Sequence, residues 1–136
     1  MSQLAPLPPA GASRVVYLGT PEIAVPPLRA LVAAGCDVQL VVTRPDVRRG
    51  RGAAISASPV KRAAQELGIR VSESLDDVVS LAKESDSSDT LGVVVAYGAL
   101  IPMTVLSAVP MINVHFSLLP RWRGAAPVER SLLAGD

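Results

Sequence analysis

"RVVYLGTPEIAVPPLRALVAAG", residues 14–35, decides the fold. Within its first seven residues, Val15 to Gly19 form a continuous apolar run of the kind that a strand buried on both faces requires, and such strands belong to parallel sheets covered by helices. A helix follows. Thr20 is placed to cap it, Pro21 occupies its first position and Gly35 stops it. Pro26 and Pro27 fall inside this segment, and an interior proline removes a helix hydrogen bond, so the spacing predicts a distorted first turn with a regular helix from about Leu28 onward.

The same alternation continues along the chain. "DVQLVVT" (37–43), "IRV" (69–71), "TLGVVVA" (90–96) and "MINV" (111–114) read as further strands. Between them, Ser58 and Pro59 open a helix that ends at Gly68, and Ser74 caps "SLDDVVSLAKE" with Asp77 three residues on, an imperfect capping box. "PMTVLSAV" (102–109) reads as a short helix, and Pro127 starts a terminal helix, "PVERSLLAG". Strands alternating with helices specify an α/β fold, a Rossmann-like, mostly parallel sheet with crossover helices. "RPDVRRGRGAAISA", after the second strand, reads as a loop, and "SDSSD" as a solvated turn.

Composition narrows the function. The chain has 136 residues, 49% of them hydrophobic, which suffices for one core. Thirteen basic and twelve acidic side chains leave a net charge of +1, so any nucleic-acid contact must come from a local patch. The single cysteine, Cys36, excludes an internal disulfide and reads as a small buried apolar residue in a cytoplasmic protein. Residues 1–13 read as a disordered tail rich in Pro and Ala. No apolar run approaches the ~18 residues of a membrane span, so no membrane partner is expected.

Three unusual segments fall where a parallel sheet binds ligands, at the carboxyl ends of its strands: "GTPE", "AYGAL" and "NVHFSLLP". Asn113 and His115 are two apart on a strand and therefore share a face. An amide beside an imidazole suits the stabilisation of an oxyanion in acyl transfer, although the same spacing fits a structural histidine beside a strand-ending asparagine. In "SLLPRWRGAAP", Pro120 stiffens the chain, Gly124 permits a tight bend, and Ser117 to Pro120 can present backbone groups beside an apolar wall, a surface for a flat heterocycle or an ordinary basic loop. Arg44, Arg48, Arg49 and Arg51 lie within eight positions and make a cationic loop suited to phosphates. The turn after the first strand has one glycine where a dinucleotide site has three, so neither nicotinamide nor flavin is expected.

With "LGTPE", "VVTRPD", "GRG", "SPVK", "VVVAYGALIP", "INVH", "SLLPRWRGAAP" and "LLAGD" in that order, residues 14–136 resemble the methionyl-tRNA formyltransferase family. The resemblance implies transfer of a formyl group from formyltetrahydrofolate, the co-substrate, to the amino group of methionyl initiator tRNA, without a metal. It makes Asn113 and His115 catalytic. Ser117, Leu118, Leu119 and Pro120 match the folate motif, and Tyr97 and Gly98 would lie against the pterin. Arg51 matches the residue that engages the tRNA acceptor end, with Arg48 and Arg49 adding charge.

The chain also departs from the family pattern. The family's helper aspartate falls beyond Asp136, and its C-terminal β-barrel is absent, so residues 14–136 are expected to be the front part of a formyltransferase domain, monomeric and weakly active or inactive alone. Phe116 stands where the family has a small residue, and Ala53 and Ala54 where it has lysines. Another folate-dependent formyltransferase, a formyltetrahydrofolate hydrolase and a non-catalytic binding remnant are the alternatives. Apolar surface is expected where further segments would pack.

Overall fold

The computed structural model describes residues 3–8, 11–48, 55–84 and 89–115. The first strand, β1 (Arg14–Gly19), is buried along nearly its whole length and leads through a 3-10 turn (Glu22–Ala24) into α1 (Val25–Ala33). β2 (Asp37–Val42) follows, then a short pair of strands, β3 (Val47–Arg48) and β4 (Ile55–Ser56), before α2 (Pro59–Glu66). The remaining elements are β5 (Val71–Ser72), α3 (Asp76–Glu84), β6 (Thr90–Val95), α4 (Met103–Leu106) and β7 (Met111–Asn113).

Five strands form one sheet in the order β5-β2-β1-β6-β7, and every pairing in it is parallel. Chain order runs outward from β1 in one direction and then resumes beside β1 in the other, which makes the β1/β6 boundary the topological switch point. Alternation along β1 divides the core accordingly. Val15 and Tyr17 pack with Leu28 of α1 and Val60, Ala63 and Ala64 of α2, whereas Val16 and Leu18 pack with Val78 of α3 and Val105 of α4. Each fully buried Leu or Val contributes ~1.5–3 kcal/mol, so β1 anchors both layers.

Several boundaries differ from the sequence reading, each for a local physical reason. α1 begins at Val25, not Leu28, because Pro26 and Pro27 fall in its first turn, where amides have no intrahelical acceptor and their loss costs little. Thr20 caps no helix; its hydroxyl is engaged elsewhere, as described below. The third strand is Val71–Ser72 and not 69–71, because the Ile69 amide closes the end of α2 on the Ala64 carbonyl at 2.9 Å. Asp77 completes no capping box with Ser74, since it accepts the Ser72 hydroxyl instead. The loop after β2 contains the antiparallel β3–β4 pairing, Val47 opposite Ser56 and Arg48 opposite Ile55. The helix expected from Pro127 lies outside the described residues.

Other local signals act as expected. Ser58 caps α2 by accepting the Lys61 amide at 3.0 Å, and Gly35 and Gly68 follow their helices at φ +87° and +73°.

Candidate functional site

The registers of the sheet bring four residues into one row at its carboxyl end. Leu18 pairs with Val42, so Thr20 stands level with Arg44; Gly19 pairs with Val95, so Thr20 also stands level with Ala96. Val94 pairs with Asn113, which sets His115 level with Ala96. The row Arg44, Thr20, Ala96, His115 thus crosses the switch point.

Side-chain hydrogen bonds tie Thr20 and Arg44 to each other and to the chain just after Ala96. The Thr20 hydroxyl donates to the Tyr97 carbonyl at 2.7 Å and accepts the Arg44 amide at 3.3 Å. The Arg44 guanidinium donates to the Gly98 carbonyl at 2.7 Å. Between these anchors the chain turns through left-handed backbone, with Ala96 at φ +51° and Gly98 at φ +92°. Glycine adopts such a φ freely, but in alanine it costs ~1–2 kcal/mol. The turn is held in place by contacts and not by local preference.

Close packing beneath the row restricts it further. A Cβ on Gly19 would stand 2.8 Å from the Val95 carbonyl oxygen and 3.0 Å from the Ala24 Cβ, so only glycine lets β1 and β6 approach this closely. Tyr97 is 5% exposed, with its ring in the layer shared with α3 and α4. Burial pushes its hydroxyl above the ordinary tyrosine range, and the nearby Arg44 cation partly offsets this. Tyr97 therefore presents its backbone, not its ring, to the row.

Asn113 ends β7 exposed, and His115 follows half-buried. Gly98 is exposed. Arg48 lies on β3, at the start of the segment that carries the other arginines. Arg49, Arg51, Ser117, Leu118, Leu119, Pro120, Phe116, Ala53 and Ala54 lie outside the described residues. Ile23, Leu100 (96% exposed) and Met103 follow the ends of β1 and β6, while Ile112 and Val114 lie on or just beyond β7. Leu4 and Leu7 in the N-terminal segment are the other exposed large apolar side chains among the described residues.

The neck of the β3–β4 arm is closed by charge and by a buried hydroxyl pair. The Thr43 and Ser58 hydroxyls are 2.6 Å apart, and the Lys61 ammonium lies 3.0 Å from Asp46 and 3.3 Å from Glu73. Hydrogen bonds to Asp46 and then to Glu73 hold the Lys61 ammonium above its ordinary range. Sequence reading did not single out this neck, nor the roles of Thr20, Arg44 and Ala96. The one available signal was that Thr20 and Arg44 each come just after a buried strand.

The strand order defines a doubly wound α/β protein, a class whose ligands bind outside the carboxyl ends of the strands at the switch point, here the β1/β6 boundary. Within that class, residues 13–136 match the family model described as formyl transferase, and the chain belongs to that family. It is 50% identical over 128 residues to the methionyl-tRNA formyltransferase of Methylobacillus flagellatus, covering 90% of this chain and 41% of the relative. Similar matches are the methionyl-tRNA formyltransferases of Heliobacterium modesticaldum, 50% identical over 126 residues, and of Streptomyces avermitilis, 49% identical over 128 residues. These too cover 90% of this chain, and 40% and 41% of the relatives. The chain spans about two fifths of the length of the curated relatives it matches. Among the described residues, no helix is long and apolar enough to cross a membrane.

Proposed function

We propose that this chain provides the donor-binding part of a methionyl-tRNA formyltransferase, which moves a formyl group from formyltetrahydrofolate to the amino group of methionyl initiator tRNA. The observation that carries this reading is the identity of half the aligned residues to proteins of that name over 90% of the chain. The row at the switch point supplies its physical basis.

In this reading the formyl oxygen lies against Asn113 and His115. As the amine adds to the formyl carbon, negative charge develops on that oxygen, and the amide and imidazole N–H groups stabilise it more strongly than they stabilise the uncharged ground state; collapse then breaks the formyl C–N bond to the folate, and tetrahydrofolate leaves with the proton that the amine loses. The flat pterin lies against the backbone of the 96–98 turn and the apolar surface beside it. Ser117, Leu118, Leu119 and Pro120, which match the family's folate motif, bind the folate. Arg48, Arg49 and Arg51 meet the phosphates at the tRNA acceptor end. The enzyme acts as a monomer in the cytoplasm, and its chemistry uses no metal.

The test is formylation of methionyl initiator tRNA by the full-length protein with formyltetrahydrofolate. The expected result is donor-dependent formyl-methionyl-tRNA, with Asn113→Ala and His115→Ala each lowering kcat/KM by about 100-fold or more while the fold is retained. Formyl release to water or to a small amine, with no tRNA product, would contradict the reading.

A further inference from the structure

We propose that Arg44 is a positioning residue that holds the 96–98 turn in its left-handed form and thereby shapes the donor site without touching the reacting atoms. The inference rests on the reading of the strand-end row as a formyl-donor site. Three observations support it. Ala96 sits at φ +51°, a conformation that an alanine leaves unless its surroundings over-determine it. The two carbonyls that follow are each captured from outside the turn, that of Tyr97 by Thr20 and that of Gly98 by the Arg44 guanidinium, both at 2.7 Å. Arg44 also acts on the first of these anchors, because its amide donates to the Thr20 hydroxyl and so leaves that hydroxyl's proton directed at Tyr97.

The arrangement is a clamp with its fixed side below. Tyr97 anchors the turn through a ring buried with Val105 and Val109, and Arg44 and Thr20 fix its backbone from the neighbouring strand ends. Loss of the guanidinium would free the Gly98 carbonyl and let Ala96 relax to negative φ, which redirects the backbone groups facing the pterin. The arginines beyond Arg44 have another place in the function; the guanidinium of Arg44 is directed back at the sheet.

Arg44→Met keeps the aliphatic stem and removes the donors, and Ala96→Gly removes the conformational cost of positive φ. In the full-length protein, Arg44→Met is expected to raise the KM for formyltetrahydrofolate about tenfold, the size expected for loss of a charged hydrogen bond, with the KM for methionyl-tRNA unchanged. Adding Ala96→Gly should recover part of that loss, because the turn then holds its form with less help. A purely structural role would show no such recovery. The carbonyl carbon chemical shift of Gly98, read by NMR without any folate, should move in Arg44→Met.

An unmoved Gly98 shift, a donor KM within twofold of the parent, or a rise confined to the tRNA KM would each overturn the proposal, the last by making Arg44 a nucleic-acid contact. If the parent protein shows no dependence on formyltetrahydrofolate while the Gly98 shift moves as expected, the donor-site reading fails and the clamp itself stands.

Discussion

β1 and β7 belong to one sheet and run in the same direction, but they impose very different constraints on their own carboxyl ends. β1 pairs on both edges, with β2 and β6, and Val16, Tyr17 and Leu18 are fully buried. β7 pairs only with β6 among the described residues, and Ile112 and Val114 remain 45% and 42% exposed. At the end of β1 every group is committed: Gly19 has no room for a Cβ, and the Thr20 hydroxyl both donates and accepts. At the end of β7, Asn113 is exposed. One end of the row is a rigid wall, and the other is lightly packed. In the proposed reading, Asn113 and His115 at the end of the lightly packed strand can meet substrates, provided that the wall opposite does not move.

The largest expected effect lies on the packed side. Leu28→Ala empties a fully buried site between β1 and α2 and should cost about 2–5 kcal/mol in urea unfolding. Gly19→Ala comes next. Its added methyl meets backbone at 2.8 Å, which cannot yield as a side chain would, and a loss of about 1–3 kcal/mol is expected together with a widened β1/β6 gap.

Tyr17→Phe should cost about 1 kcal/mol, because it removes a buried hydroxyl that donates to the Ala24 carbonyl at 2.6 Å. It should also change the response to alkali. Burial raises the Tyr17 and Tyr97 hydroxyls above the ordinary value of 10.0, and hydrogen bonds raise the Lys61 ammonium above 10.5. The folded chain therefore keeps these protons to higher pH than the unfolded chain does. Their stabilisation is complete below about pH 9 and falls as pH rises through 10 and beyond. Urea midpoints measured from pH 8 to 11 should show that fall, and Tyr17→Phe should make it shallower.

The smallest effect belongs to β7. Ile112→Ala should change stability by less than about 1 kcal/mol, since nearly half of that side chain is already in water. A loss as large as that of Leu28→Ala would remove the contrast between the two strands.

What could be read from the sequence follows the range of the interactions involved. The buried run of β1, the Ser58 cap and the glycine stops after α1 and α2 depend on a few adjacent residues, and they were legible. Thr20 and Arg44 were not, because the carbonyls they bind lie 77 and 54 residues away. Ala96 sits against its own preference, so only the folded surroundings reveal its conformation. The two-residue strands β3 and β4 are too short to show any alternation. The Asn-x-His pair was visible as a spacing, yet its place in a row with Thr20 and Arg44 follows from registers that only the sheet supplies.

The central claim is that the row at the switch point is where the formyl donor binds. Backbone amide chemical shifts of the isotope-labelled protein, followed during titration with tetrahydrofolate, test it most directly. The account predicts saturable changes at Thr20, Arg44, Ala96, Gly98, Asn113 and His115, with Arg14, Asp37 and Thr90 at the amino end of the sheet unmoved. Saturable changes centred on that amino end, or none at the row at saturating ligand, would contradict it.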